Sequence, residues 1–413
     1  MSQNVGECWV GVDWGDREHH VCVKDAEGRE LSHFKISQSQ EGLEELVGRL
    51  RSFGCIRGVA VETPHGLLIQ KLLEAGIPVY PINPKLSKAW RSGESVSEAK
   101  SDAADSEALA EGLRQRHDKL RRLEPDDPLT RELAILCKDE CELIARRTEL
   151  VNRLTSTLKL YHPEAREWFS DWTAPTAWQF LLSFPTPEAL RRAGRQKLIG
   201  FLKTHRIGLS PVWRQRVDRH GESSGWPSDE ATVRAKRLLA VALAKELITL
   251  QAALQQYRQA IEALFPQHPD ASLFRSLPRS GKKLAPRLLS CFGSNRDRFD
   301  SVEGPLALSG SVPVTRKSGK HIGVCFRWAC QKDFRNAITL YALQSINEVA
   351  WARTCYDRCR KRGLDHYRAL RDLASKWIKI IFRMWKDRRP YDERIILASL
   401  IRHGSPIMQN SDS

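Results

Sequence analysis

"CWVGVDW", residues 8–14, is the first of three short apolar segments that decide the fold of the N-terminal part of the chain. A turn at Gly15 and Asp16 leads to "HHVCVKD" (19–25), and the turn "AEGRE" leads to "LSHFKIS" (31–37). β-Branched and aromatic residues bounded by turn residues are typical of strands. Because the connections are short, the stretch predicts three consecutive antiparallel strands.

Helices and strands alternate after these three segments. "QEGLEELVGRLRSF" (40–53) and "GLLIQKLLEAG" (66–76) have apolar residues at helical spacing, and Gly76 ends the second of them. "IRGVAVET" (56–63) and "IPVYPIN" (77–83) predict a fourth and a fifth strand, and the stretch with Asp102 and Asp105 predicts the next helix. This order is the one expected of a ribonuclease-H-like α/β domain.

The remainder of the chain is predominantly helical, and three domains are predicted: 1–118, 119–265 and 266–413. The second contains two long charged helices, 131–161 and about 229–264, which flank an irregular unit rich in Trp and Pro. The third opens with two short helices around the basic stretch "RSGKK", continues through the loop region "LALSGSVPVTRKSGKHIG" (306–323), and returns to basic helices.

The second long helix has an apolar seam with alternating steps of four and three residues. This period of 3.5 residues is typical of a coiled coil, which would hold subunits together. A helix packed inside its own domain is the alternative, and the pattern does not decide between them. The seam residues are Leu243, Leu247, Leu250, Leu254, Tyr257, Ile261 and Leu264.

The chain is strongly basic. It has 66 Lys and Arg against 50 Asp and Glu in 413 residues, which gives a net charge of +16 and a pI near 9.5. A polyanionic partner is therefore expected, in the first place nucleic acid. An anionic membrane surface is the alternative, but we find no run of about 18 apolar residues that would span a bilayer.

The ten cysteines form no C-x-x-C pair, and Cys355 and Cys359, like Cys137 and Cys141, are spaced four apart in helical sequence. This pattern predicts free thiols without structural zinc. The N-terminal "MSQNVGECWVGVDWG" lacks the basic and apolar stretches of a signal peptide. We therefore expect a reduced, cytoplasmic protein.

Four carboxylates are the candidate catalytic residues. Asp13 lies in the first apolar strand and Glu62 at the carboxyl end of the fourth, which should be its neighbour. Asp102 and Asp105 are one helical turn apart, so their Cβ atoms are about 5–6 Å from each other. The pair could be a helix start with Asp102 as the N-cap. Alternatively, all four acids hold Mg²⁺ or Mn²⁺, and two such ions suit phosphodiester chemistry.

The order of motifs resembles that of the IS-110 insertion-sequence transposases and Piv-type DNA invertases. Asp13, Glu62 and "KSDAADS" (100–106) are similar to the RuvC-like DEDD domain of this family, with Ser101 and Ser106 in place of its usual Thr and Ala. The similarity continues in "LLSFPTPEALRRAG", "SLPRSGKKLAPRLLSCFGSNRDRF" and "WKDRRPYDE". The family's Pro-Gly-Ile-Gly hairpin is matched only by "PRSG".

The resemblance implies a metal-dependent transposase or recombinase in which 1–118 is the RuvC-like catalytic domain and 266–413 the transposase domain. Ser318, in a Ser-Gly pair that by itself is typical of a turn, would attack DNA and form a transient 5′-phosphoserine. It would share a composite site with the four acids, and a second subunit can supply it. The resemblance also implies donor and target DNA, a non-coding guide RNA, a dimer or tetramer, and a prokaryotic, nucleoid-associated location.

Basic residues near the serine and near "RSGKK" are the predicted contacts to nucleic acid, because cations both attract phosphate and stabilise charge on a transferring phosphoryl group. His321 also lies beside the serine. The residues predicted to contact nucleic acid are Lys282, Lys283, Arg316, Lys317 and Lys320.

Three other functions remain as alternatives. A RuvC-like junction resolvase would use water instead of Ser318, but would need only the first domain. Sugar kinases and actin-like ATPases begin with a strand similar to "GVDWG", yet the second Asp-Gly phosphate loop and the adenosine loop are missing from the sequence. A non-catalytic DNA-binding protein would have no use for four acids and the serine.

Overall fold

The computed structural model describes residues 6–94, 101–221, 229–318 and 321–402. The chain divides into two compact units, Met1–Pro125 and Asp126–Ser413. We describe each unit by itself. The first is mixed α/β with a small sheet, and the second is mainly helical.

The first unit contains the five predicted strands, and its sheet has the order β3-β2-β1-β4-β5. β1 pairs antiparallel with β2 and parallel with β4. Its elements are β1 (Glu7–Asp13), β2 (Glu18–Lys24), β3 (Glu30–Ser37), α1 (Gln40–Ser52), β4 (Cys55–Val61), α2 (Leu67–Glu74), β5 (Val79–Pro81), α3 (Pro84–Glu94) and α4 (Asp102–Arg116). Helix α3 is not among the elements predicted from the sequence.

Helices cover both faces of this sheet, which explains why β1 is apolar nearly throughout. Cys8, Val10 and Val12 share a core with α1 and α2. Trp9 belongs to a second core on the opposite face, together with Trp90 of α3 and residues of α4. Because side chains alternate along a strand, Gly11 and Asp13 lie on the same face as Trp9.

The second unit is built on two long helices that run antiparallel to each other, α5 and α11. Arg146 contacts Glu246 at 3.2 Å, and further along Arg258 contacts Glu140 at 3.1 Å. The helices of this unit are α5 (Pro128–Tyr161), α6 (Pro163–Trp168), α7 (Pro175–Ser183), α8 (Pro187–Arg191), α9 (Arg195–Thr204), α10 (Pro211–Asp218), α11 (Glu230–Leu264), α12 (Ala271–Arg275), α13 (Gly281–Phe292), α14 (Glu303–Leu308), α15 (Lys332–Ser345), α16 (Ala350–Lys361), α17 (His366–Asp387) and α18 (Glu393–Arg402).

The leucine seam of α11 packs inside the chain. Leu243 and Leu247 are buried in a core with Leu150 and Leu154 of α5 and with helices α6–α9. Ile261 lies in a separate core with the C-terminal helices. The structure therefore shows the alternative of a helix packed inside its own domain. The seam is not a free surface on which a second subunit could make the same contacts.

The same helix bears on the question of a membrane span. Glu230–Gln267 is long and apolar enough to cross a membrane by length and composition alone, which differs from our expectation that no such segment exists. Its seam residues Leu243, Leu247 and Ile261 face the partner helix and the two cores, whereas Leu238 is 66% exposed. Packing in this helix pair therefore explains the apolar character of the buried side of the helix.

Two further local predictions are corrected by the structure. The Trp- and Pro-rich segment after α5 is not irregular but forms the short helices α6–α10, four of which begin at a proline. Proline suits the first helical position because that residue has no helical partner for an N–H group. The predicted loop region 306–323 contains the hairpin strands β6 (Val314–Ser318) and β7 (His321–Cys325), because β-branched residues alternate along it.

The C-terminal core of the second unit takes residues from both sides of the predicted boundary at 265. Leu133 and Cys137 of α5 pack there with the helices α12, α13 and α15–α17. Fully buried Trp377 and Trp385 of α17 fill the centre of this core.

Candidate active site

Asp13 and Glu62 lie side by side at one edge of the sheet. Val12 of β1 is in register with Val61 of β4 in a parallel pair, so the next residue of each strand is one of the two acids. Ala60 belongs to the core on the α4 face, and by alternation Glu62 projects to that face as Asp13 does. The predicted neighbourhood of the two acids follows directly from this register.

Gly11 brings α4 close to β1. A Cβ atom at this position would lie 1.9 Å from the carbonyl oxygen of Ser106 and 2.5 Å from the backbone nitrogen of Ala110. Only glycine allows the helix backbone to approach the strand so closely. The turn of α4 that contains Asp102 and Asp105 precedes this crossing point, and Gly11 therefore determines how near these acids lie to the strand edge.

Asp102 and Asp105 both lie in the first turn of α4. Ser101, not Asp102, is the N-cap: its hydroxyl accepts a hydrogen bond from the amide of Ala104 at 3.2 Å. Asp102 is 63% exposed and its carboxylate lies 3.7 Å from Nε2 of His20. His20 is the cross-strand partner of Asp13. Asp102 thus lies near the end of β1 that carries Asp13. The dipole of α4 stabilises the negative charges of Asp102 and Asp105, because both lie at its N-terminus.

Helix α3 supplies two contacts to the acids that the sequence analysis missed. Its Ser87 hydroxyl donates a hydrogen bond to the carboxylate of Glu62, and its Arg91 guanidinium pairs with Asp105. The two residues are four apart, so they lie on the same face of the helix. That spacing is the one signal in the sequence that could have indicated them.

His19 holds the loop that follows Asp13. The Gly15 amide donates to its Nδ1 at 3.3 Å, and its Nε2 lies 2.5 Å from the side-chain oxygen of Gln38. Burial lowers the pKa of His19, although the hydrogen bond to Gln38 opposes this effect. The imidazole is therefore neutral at pH 7, which matches an acceptor at Nδ1 and a donor at Nε2.

The sheet edge is chemically suited to a hard divalent cation. Asp13, Glu62, Asp102 and Asp105 offer carboxylate oxygens, which are the ligands that Mg²⁺ and Mn²⁺ prefer. Like charges at such spacing repel one another unless cations lie between them. Arg91 compensates Asp105, and His20 lies beside Asp102. The donor set therefore fits the predicted ions.

Ser318 is the last residue of β6, where it is paired with His321 at the end of the hairpin. Lys317 is exposed next to it, and Arg316 lies on the same strand. Lys320 lies outside the described residues. At the start of α13, Lys283 is exposed, and Lys282 forms an exposed ion pair with Glu262 at 3.1 Å. The assignment of these residues to catalysis and to nucleic-acid binding remains a prediction.

A second group of metal-ligand side chains lies in the described part of the second unit. Sγ of Cys355 and Sγ of Cys359 lie 3.7 and 3.5 Å from the carboxylate of Asp372. The ammonium of Lys376 pairs with the same carboxylate. Burial raises the pKa of the Cys355 thiol to about 11. The thiols are neutral, and the ammonium of Lys376 already neutralises the carboxylate that a metal ion would need. The group is therefore a structural cluster.

Comparisons with known proteins find two family matches, the first of which extends from the first unit through helix α5 of the second. Residues 10–163 match a family described as transposases, the DEDD transposases of IS110, and residues 271–357 match the transposase IS116/IS110/IS902 family. The first match spans the four acids, and the second spans Ser318 and its hairpin.

Full-length relatives are similar along nearly the whole chain. A protein of Streptomyces coelicolor named as a candidate transposase for the mini-circle IS117 is 28% identical, over 95% of this chain and 97% of its own length. The 43.6 kDa protein of insertion element IS110 from the same species has the same identity and coverage. The 42 kDa protein of insertion element IS900 from Mycobacterium paratuberculosis is 28% identical over 95% of this chain and 98% of its own. The chain therefore belongs to the IS110 family of transposases, enzymes that act on DNA.

Proposed function

We propose that the protein excises and inserts an insertion sequence by metal-dependent DNA strand exchange, with a ribonuclease-H-like, RuvC-like first unit. The convergence of Asp13, Glu62 and the start of α4 at one sheet edge is the observation that carries this proposal. The strand order β3-β2-β1-β4-β5, with three antiparallel strands followed by two parallel ones, supports the RuvC-like assignment.

The four carboxylates Asp13, Glu62, Asp102 and Asp105 would hold two Mg²⁺ or Mn²⁺ ions. Bound there, the ions would supply positive charge for activation of the attacking hydroxyl and for stabilisation of the leaving oxygen. The protein contributes preorganisation through Ser87, which orients the carboxylate of Glu62. Arg91 pairs with Asp105 and would compete with a metal ion for that carboxylate.

Ser318 is the proposed nucleophile. Its Oγ would form a bond to phosphorus while the bond from phosphorus to the 3′ oxygen breaks. The serine proton passes to solvent or a base, the 3′ oxygen gains a proton as it leaves, and the DNA keeps a 5′-phosphoserine. A position at the end of the hairpin beside exposed Lys317 suits this role, because a cation attracts the phosphate.

A junction resolvase that uses water is the alternative with the same acids. It would not need Ser318 or a second unit, whereas the family matches extend through both. The kinase-fold alternative is set aside because the chain belongs to a transposase family. Guidance by a non-coding RNA rests on the resemblance alone, and its test is whether RNA encoded beside the gene copurifies with the protein.

The first experiment is an excision assay in cells. The gene is supplied with its native flanking DNA, and amplification across excised-circle joints is compared for wild type, Asp102→Ala and Ser318→Ala. Asp118→Ala, an exposed aspartate beyond the end of α4, serves as the matched control. We expect joints in wild type and control, and a loss of at least about 10³-fold in the two other variants.

Each other outcome identifies a different error. Joints that survive Ser318→Ala but not Asp102→Ala would leave a hydrolytic two-metal enzyme. Joints that survive Asp102→Ala would reduce the pair at the start of α4 to a helix end with favourable charge.

A further inference from the structure

An exposed aromatic side chain follows the hairpin β6–β7. Trp328 is 81% exposed, more than any other large apolar side chain in the described part of the chain. Its ring meets that of Phe326 edge-on, with centroids 4.9 Å apart. An indole left in water contributes nothing to a core, and an exposed aromatic side chain beside cations is a candidate surface for stacking a base.

Two arginines stand over the neighbouring ring. The guanidinium carbons of Arg335 and Arg371 lie 4.5 and 4.9 Å from the centroid of Phe326. Arg335 is held in place because its side chain donates to the backbone oxygens of Ser309 and Arg327. We call the group Phe326, Trp328, Arg335 and Arg371 the Trp328 platform.

Among the described residues, no carboxylate lies within ion-pair distance of Arg335 or Arg371. Burial lowers the pKa of Arg371, and the charges of Arg368 and Arg335 lower it further, although the charge of Asp365 acts in the opposite direction. Residues 314–335 hold six Lys and Arg against a single Asp. An anion at this place would relieve the repulsion between the guanidinium groups.

A flat aromatic surface beside crowded cations has the two features that bind single-stranded nucleic acid: a face for stacking a base and charges for its phosphates. A protein partner would instead require a larger apolar patch than this group of side chains provides. A duplex cannot use the platform in this way, because its bases are stacked inside the helix.

The hairpin connects the platform to the proposed nucleophile. Ser318 is at one end of β6, and Val314 at the other end pairs with Cys325, three residues before Trp328. Four steps of about 3.3 Å separate the two ends of the strand, or about 13 Å. A DNA strand with one phosphate at Ser318 could therefore reach the Trp328 platform within a few nucleotides.

We propose that the Trp328 platform binds an unpaired base of the DNA strand near the cleavage point, with Trp328 stacked on the base and the arginines at the adjacent phosphates. This inference rests on the proposed function, because it takes DNA as the substrate of the hairpin. It assigns to the second unit a base-binding site that tolerates any base, since every base has a stacking face.

Equilibrium binding tests the platform without strand cleavage. Anisotropy of a labelled single-stranded DNA oligonucleotide is measured with the full chain in EDTA, for wild type, Trp328→Ala and Trp328→Phe. Leu238→Ala, which removes an apolar side chain that is 66% exposed on α11, is the control. We expect Trp328→Ala to weaken binding about tenfold, and Trp328→Phe and the control to stay close to wild type.

Matched oligonucleotides separate stacking from charge. An abasic DNA strand should bind wild type and Trp328→Ala with equal affinity. The affinity for a DNA duplex should also be the same for the two proteins. A plot of log affinity against log salt concentration has a negative slope. Lys317→Ala should make that slope less steep by about one, equally for all DNA probes.

Several results would overturn the proposal. They are unchanged DNA binding by Trp328→Ala, an equal loss on the abasic strand, a loss seen only with an RNA oligonucleotide, or a loss that accompanies a change of oligomeric state in size-exclusion chromatography. Because the assay needs neither metal nor Ser318, it can fail while the excision assay succeeds, and the reverse.

Discussion

Carboxylates meet arginines in two regions of this protein, with opposite consequences. In the second unit, Glu140 is 3% exposed and lies between Arg258 at 3.1 Å and Arg287 at 2.7 Å. At the sheet edge of the first unit, Asp105 pairs with one guanidinium, while Asp102 is 63% exposed beside His20.

The difference lies in the balance of charge. Burial alone would raise the pKa of Glu140, but the hydrogen bonds and charges of Arg287 and Arg258 lower it. Two cations surround one anion there, so the negative charge of Glu140 is fully compensated and the cluster has a structural role. At the sheet edge four acids are brought together, and a divalent cation is the partner that suits them. Four carboxylates grouped at one place thus indicate a candidate cation site, whereas a single carboxylate between two arginines indicates a structural ion pair.

The largest expected effect is a loss of stability when the Glu140 cluster is broken. Glu140→Ala should lower the free energy of unfolding by about 3–5 kcal/mol, because Arg287, 12% exposed, would keep its charge without a partner. Urea unfolding followed by circular dichroism measures this. Glu142→Ala, at a carboxylate that is 65% exposed, should change it by less than about 0.5 kcal/mol.

Asp102→Ala completes this comparison, because it should also stay within about 1 kcal/mol of wild type while it abolishes excision. Equal destabilisation of the Glu140 and Asp102 variants would remove the distinction between a structural and a functional cluster.

Gly11→Ala should test whether the close approach of α4 holds the acid edge together. The new Cβ would lie 1.9 Å from the carbonyl oxygen of Ser106, so the helix must move away from β1. We expect a loss of about 2–3 kcal/mol in unfolding free energy, together with reduced excision. Gly48→Ala, in helix α1 with no atom within 4 Å of the new Cβ, should be neutral or slightly stabilising.

His162 is a buried titratable group, and it should make stability depend on pH. Its Nε2 lies 3.1 Å from the carbonyl oxygen of Phe184, and Nδ1 has no hydrogen-bond partner among the described residues. Burial lowers its pKa from 6.5 to about 4. The unfolded chain therefore binds a proton first, and stability is lost as the pH falls from 6.5 to 4.

Denaturant unfolding at several pH values measures this effect. Between pH 6.5 and 4, His162→Gln should lose about 2–3 kcal/mol less than wild type. His65→Gln, at an exposed position, should keep the wild-type slope. A wild-type slope in His162→Gln would show that other groups govern the acid transition.

The smallest effect concerns the arginine at the open edge. Arg91 competes with a metal ion for Asp105, so Arg91→Ala should tighten Mn²⁺ binding by about threefold in calorimetric titration. Arg57→Ala, which removes an exposed pair with Glu7 at 3.5 Å, should leave the affinity unchanged. Weaker Mn²⁺ binding in Arg91→Ala would mean that the arginine supports the metal site instead of competing with it.

The sequence alone determined the local parts of this protein. Alternation and turn residues specified the strands β1–β5, and the carboxylates at their ends and at the start of α4 were recognisable because spacing along the chain sets which residues share a strand or a helix turn. The same motifs also carried the family resemblance, since Asp13, Glu62 and "KSDAADS" occur in a specific order.

Only the tertiary structure decided the partners of these parts. The leucine seam of α11 has the period of a coiled coil whether it meets another subunit or α5, and long-range packing made that choice. Arg91 and Ser87 became site residues because α3 folds over the acids, and Glu140 became structural because two arginines distant in sequence converge on it. Periodicity reports which face of an element is apolar, whereas the identity of the opposing surface depends on contacts between residues far apart in the chain.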